Sequence, residues 1–128
     1  MQLAAYAERI GARFLVHQDS GVTPHLENYT RLGRVHGIDF GQDTDWEAAA
    51  RAFPGVEANC IVFPGWILAH SREEIQEELQ RLMLAGRRFP RFSFSLLELD
   101  VALAAGKVFE FHEAFRRAAE MVGKARAR

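Results

Sequence analysis

Along the chain the apolar pattern changes period repeatedly, and the order of the changes is informative. Leu3, Ala4, Ala7 and Ile10 share one face of a helix that should end at Gly11. Phe14-Leu15-Val16 is a continuous apolar run, which predicts a short strand buried on both faces. After a polar patch, His17-Gln18-Asp19-Ser20-Gly21, Thr23-Pro24 predicts a helix start with Thr23 as N-cap and Pro24 in the first helical position. That helix should stop at Gly33, and Val35 to Phe40 predicts a second strand. Thr44-Asp45-Trp46-Glu47 has the spacing of a capping box, and the Ala-rich run to Phe53 continues as helix until Pro54-Gly55. Val56 to Phe63 predicts a third strand, closed by a break at Pro64-Gly65. Ser71-Arg72-Glu73-Glu74 repeats the capping box, and Ile75, Leu79, Leu82 and Met83 line one face of a helix that Gly86 ends. Arg91 to Leu97 predicts a fourth strand with Phe92, Phe94 and Leu96 alternating. Val108, Phe111, Phe115, Ala118 and Val122 mark the face of a last helix.

The order is therefore one helix followed by four strand–helix units. Strands that alternate with helices make a parallel sheet with right-handed crossovers. No linker or low-complexity stretch divides residues 1–128, which read as one domain. Two architectures fit: a small open α/β sandwich, or four units of a (β/α)8 barrel. A complete barrel needs about 250 residues, and this chain has 128.

Composition narrows the partners. With 48% hydrophobic and 26% charged residues the chain is an ordinary globule, not a disordered tail. Sixteen Lys+Arg against 17 Asp+Glu leave a net charge of -1, so no nucleic-acid partner is expected. The single cysteine, Cys60, excludes an intrachain disulfide framework and reads as a small buried hydrophobe; a reducing cytoplasm is the expected compartment. No apolar run approaches the roughly 18 residues of a membrane span, so no membrane partner is expected. The first 12 residues lack a signal peptide's unbroken apolar core.

In either architecture, function gathers after the carboxyl ends of the strands. His17, Gln18, Asp19 and Ser20 follow the first strand, and Asp39, Gln42, Asp43 and Asp45 follow the second. Asn59 and Cys60 lie in the third, and Glu98 and Asp100 follow the fourth. His17 with Asp19 suits acid–base work or metal binding, or else loop hydrogen bonding and helix capping. Asp39 closes an apolar strand, where a carboxylate needs a partner. Asn59 must hydrogen-bond to a neighbouring loop or to a ligand. Asp43 and Asp45 suit the positive end of a helix dipole. His25, His70 and His112 read as helix-surface or edge residues, and His36 as packed at the barrel bottom or on a helix. No P-loop, GxGxxG, GxSxG, HExxH or paired CxxC motif is present.

One ordered set of segments is more specific. Arg13 to Gly21, with its strand ending in a His/Asp/Gly patch, and His36-Gly37-Ile38-Asp39-Phe40 resemble the uroporphyrinogen decarboxylase superfamily. Val56 to Cys60 is similar to that family's "GN" strand, and Ser71-Arg72-Glu73-Glu74-Ile75 to its "[ST]-x-E-E-[IV]" segment. Phe92 to Ser95 and the Gly106 to Glu120 helix resemble its closing unit. The resemblance implies the C-terminal half of a (β/α)8 TIM barrel, four βα units with a preceding N-terminal helix. It implies an enzyme that decarboxylates a tetrapyrrole without a cofactor, or one that exchanges methyl groups with a corrinoid by means of zinc.

Under that resemblance His17, Asp19 and Asp39 are the expected catalytic residues, and Gln18, Asn59 and Glu98 the expected substrate contacts. The departures are specific. The decarboxylase's essential aspartate belongs to the absent half, and its late histidine is missing from Phe92 to Asp100. The methyltransferases' His-x-Cys is here His17-Gln18-Asp19, which leaves His17, Asp19 and Glu98 as the conceivable zinc set. Four βα units leave two raw sheet edges and an uncovered inner face. A second half-barrel is therefore expected, either another copy or a separate N-terminal chain. The alternative is a non-catalytic half-barrel that homo-oligomerises as a binding or structural module. A self-contained open α/β domain, its likeness incidental, is the third reading.

Overall fold

Four short strands organise the computed structural model, which describes residues 2–96 and 105–126. The elements in chain order are α1 (Gln2–Arg9), β1 (Phe14–Gln18), α2 (Leu26–Thr30), β2 (Val35–Gly41), α3 (Trp46–Ala52), β3 (Glu57–Val62), α4 (Pro64–Ala69), α5 (Arg72–Gly86), β4 (Phe92–Leu96) and α6 (Ala105–Arg126). The strands form one parallel sheet in the order β1-β2-β3-β4, so each lies beside its sequence neighbour. The fold is thus α/β, built from βα units. The chain folds as two compact units, Met1–Ile61 with Gly86–Ser95, and Val62–Ala85 with Leu96–Arg128.

In the first unit, alternation along the strands divides the sheet into two unlike faces. Val16, Ile38, Phe40, Ala58 and Cys60 are buried on one of them. Tyr29 of α2, Trp46 of α3 and Phe53 close on the Phe40 ring, with centroids 6.0, 6.3 and 6.3 Å away. Trp46 continues the cluster edge-on to Phe92 of β4 at 4.9 Å. Burying a side chain such as Phe40 favours folding by roughly 1.5–3 kcal/mol. In the second unit Ile67 of α4, Ile75, Leu79 and Leu82 of α5, and Phe111, Ala114 and Ala118 of α6 are buried. Lys107 of α6 donates to the His70 carbonyl at 3.0 Å.

Several local expectations are corrected. The run Phe14-Leu15-Val16 is buried on one face only: Val16 is 6% exposed and Leu15 60%. Three apolar residues are too short a run to reveal a period. Leu15 instead lies across Gly37, where an added Cβ would meet its Cδ1 at 2.8 Å. Thr23 caps no helix; it opens a 3-10 turn, Thr23–His25, whose cap position is Val22. Its hydroxyl accepts from the Asp45 amide at 2.8 Å, while the Thr44 hydroxyl accepts from the Val22 amide at 3.4 Å. The two threonines thereby cross-tie the segments that follow β1 and β2. With Thr44 so engaged, the cap of α3 shifts one residue to Asp45, which accepts from the Ala48 amide at 2.9 Å. Pro64-Gly65 is a helix start as well as a break, with Pro64 in the first turn of α4. The Ser71 capping box forms as expected: Glu74 Oε2 accepts from the Ser71 amide at 2.8 Å, and Ser71 Oγ from the Glu74 amide at 3.3 Å. No helix among the described residues is long and apolar enough to cross a membrane.

Candidate functional site

Strand register builds the site. His17 of β1 pairs with Asp39 of β2, and Asp39 with Asn59 of β3, so the three occupy one rung of the sheet. Neighbouring strands lie about 4.8 Å apart, which places these side chains within hydrogen-bonding reach on the face opposite Phe40 and Cys60. His17 Nδ1 lies 2.7 Å from Asp39 Oδ2. Asp39 Oδ1 accepts from the Asn59 amide nitrogen, which also donates to Ser95 Oγ at 2.8 Å. Ser93 Oγ donates to Asn59 Oδ1 at 3.0 Å. The rung thus runs across all four strands. At its outer end His17 Nε2 meets Asp19 Oδ1 at 2.8 Å.

Electrostatics follow from this geometry. Both ring nitrogens of His17 face carboxylate oxygens, and only the imidazolium donates from both. The hydrogen bond to Asp39 is the largest cause raising the His17 pKa above its ordinary value. Partial burial opposes it, and the charges of Asp39 and Asp19 add to it. The side chains grade outward from Asp39, 21% exposed, through His17 at 48%, to Asp19 at 62%. Asp39 is therefore the anchored carboxylate and Asp19 the peripheral one. Asn59 spends its amide on Asp39 and the β4 serines, which fixes the Asp39 carboxylate toward the ring. The arrangement can orient an imidazolium, hold a proton at Nε2, and present it at the carboxyl edge of the sheet.

Close backbone approach sets the Asp19 loop. A Cβ on Gly41 would meet the Asp19 carbonyl oxygen at 2.7 Å and the Ser20 carbonyl carbon at 2.8 Å. The Gly41 amide donates to the Ser20 carbonyl at 3.3 Å. Glycine at the end of β2 is what lets the loop after β1 settle over it.

The other expected residues distribute differently. His17, Asp19, Asp39 and Asn59 come together, but Gln18 does not join them. Strand β1 extends through Gln18 instead of ending at Val16, so alternation turns Gln18 toward α2. There it donates to Ser20 Oγ at 3.1 Å and accepts from the Tyr29 hydroxyl at 3.3 Å. Glu98 and Asp100 lie outside the described residues. Cys60 is buried, while His25 and His112 are exposed. His36, expected at the barrel bottom or on a helix, is exposed near the start of β2, in a cleft of about 680 Å³ with Arg13, Arg34 and Glu57. His70 stacks on Trp66, centroids 4.4 Å apart, with Nδ1 2.7 Å from the Trp66 carbonyl oxygen.

The expected zinc set is not assembled among the described residues, since Glu98 lies outside them. Among the described residues no group of three His, Cys, Asp or Glu is placed to hold a metal ion. Sequence reasoning missed Ser93 and Ser95, although their alternation with Phe92 and Phe94 carries the signal of a polar face. In comparisons with protein families, curated proteins and solved structures, the chain matches none.

Proposed function

We propose that the chain is the C-terminal part of a uroporphyrinogen decarboxylase-like barrel enzyme in which His17, oriented by Asp39, donates a proton to a tetrapyrrole substrate. The single observation that supports this reading is the Asp39–His17 pair at the carboxyl edge, with Nδ1 fixed at 2.7 Å and Nε2 turned outward. Such a pair keeps one tautomer and one ring orientation, as acid–base work requires. Proton transfer is favoured over the corrinoid methyl transfer that the same superfamily performs, because both His17 nitrogens lie at hydrogen-bonding distance from carboxylate oxygens. Asn59 acts through Asp39 as a positioning residue. The enzyme's other half is a second half-barrel, from another copy or from a separate N-terminal chain.

Binding of uroporphyrinogen to the native assembly tests this reading. His17→Ala should abolish binding and leave the fold intact. Equal loss of binding and of thermal stability would make His17 a structural residue and defeat the proposal.

The alternative, a non-catalytic half-barrel that homo-oligomerises, is favoured by one observation. Leu15 is 60% exposed on the same face as the His17 rung, and β1 and β4 are terminal strands of the sheet. A cooperative homodimer by light scattering, with no response to porphyrinogens, would select this second reading.

A further inference from the structure

We infer that Asp19 stands in the place of a ligand carboxylate: the site takes a small molecule through a carboxylate that displaces Asp19 from Nε2 of His17, and Asp19 sets how tightly it is held. The inference rests on the reading of His17 as the working group of the rung, and it names the ligand chemistry.

The two carboxylates on the ring are not equivalent. Asp39 is mostly buried and also accepts from the Asn59 amide, so its departure would strand two donors. Asp19 is mostly exposed, and among the described residues His17 is the sole partner of its carboxylate. It can turn into water without leaving a buried group unpaired. Its backbone is pinned against Gly41, so displacement needs a side-chain rotation and no movement of the loop. The distance of 2.8 Å from Nε2 to Oδ1 is that of a charge-assisted hydrogen bond to a carboxylate. The protein's own side chain thereby demonstrates that such an oxygen fits there. Among the described residues, the charged groups in contact with the ring are Asp19 and Asp39. The Asp43 carboxylate lies against the Gly21 and Gly41 backbones. Once Asp19 has turned away, the incoming carboxylate replaces its charge one for one.

The test follows the His17 ring signals by NMR at pH 6 in the wild-type chain, Asp19→Ala and the near-isosteric Asp19→Asn. The probes are acetate, tricarballylate and inorganic phosphate. Carboxylates should shift the His17 signals in the wild type and bind about two- to fivefold more tightly to both variants, the range expected when an exposed competing ion pair is removed. Equal or weaker binding to both variants overturns the role of Asp19 and leaves the reading of His17 standing. No response of His17 to any carboxylate, in wild type or variants, overturns both. Phosphate binding as tightly as the carboxylates overturns the ligand class.

Discussion

Gly41→Ala isolates the step from backbone packing to site geometry. The new methyl group would lie 2.7 Å from the Asp19 carbonyl oxygen and 2.8 Å from the Ser20 carbonyl carbon. Both are backbone atoms, so relief requires the loop after β1 to shift by about half an ångström or more. Overpacking of this kind costs about 1–3 kcal/mol, and the lower chain entropy of alanine in the unfolded state returns about 0.4–1 kcal/mol. A net loss of about 1–2 kcal/mol lowers the melting temperature by roughly 3–10 °C for a chain of this size. The shift also carries Asp19 away from His17, so the His17 pKa should fall slightly. It should stay raised, because Asp39 is the larger cause. A thermal melt followed by circular dichroism and an NMR titration of the His17 ring read the two effects separately. Gly65→Ala is the control: its Cβ meets nothing within 4 Å inside α4, and the variant should melt at the same temperature or higher. Wild-type melting and wild-type His17 titration in Gly41→Ala would refute the claim that this contact positions Asp19.

Two further outcomes test the electrostatics. The folded-state pKa of His17 lies above the unfolded value, so its contribution to stability is fully present below about pH 6.5 and is lost as pH rises through the folded value. Asp39→Asn removes the largest cause; the His17 titration should move down toward its ordinary value, and that part of the stability–pH profile should flatten. An unmoved titration would show that Asp39 is not the anchor. In the second unit, Ser71→Ala removes the α5 cap and should cost about 1 kcal/mol, seen as a melting temperature lower by a few degrees. The Ser71 amide and hydroxyl hold the Glu74 carboxyl below its usual range. That contribution is present at neutral pH and lost as pH falls through the folded Glu74 value; Ser71→Ala keeps the backbone amide, the larger cause, and should weaken this acid-side dependence without abolishing it.

Element order was legible because each strand–helix boundary carried its own signal, such as Gly11 after α1, the Thr44 and Ser71 boxes ahead of α3 and α5, and Pro54-Gly55 before β3. The caps were less so. Thr23 and Thr44 have the side chain of an N-cap, but their partners lie across the sheet edge, and no local pattern encodes a contact between segments 22 residues apart. The site was legible in part. His17, Asp19, Asp39 and Asn59 stood out as polar groups at the ends of apolar strands. Which of them met depended on register, which is set by the pairing His17↔Asp39↔Asn59. The sequence places Gln18 in the same loop because the apolar run ends at Val16; β1 continues for two more residues, and strand alternation sends Gln18 to the face opposite His17.

The position of His17 on the terminal strand bears on whether a second half-barrel completes the site. Asp39 braces the ring from β2, whereas among the described residues β1 is a terminal strand of the sheet. A strand added there would bring a residue to about 4.8 Å from β1 in the same rung, beside the place Asp19 holds. It would also cover Leu15, two residues back on the same face and 60% exposed. Leu15→Lys therefore tests assembly without touching the rung: its side chain already faces water in the isolated chain, so the melting temperature of the monomer should change little. Light scattering across a concentration series should show wild-type chains associating and Leu15→Lys chains remaining monomeric. Carboxylate affinity at His17 should then be concentration-dependent in the wild type alone. Association of equal strength in both proteins would mean that this face is not where the second half docks.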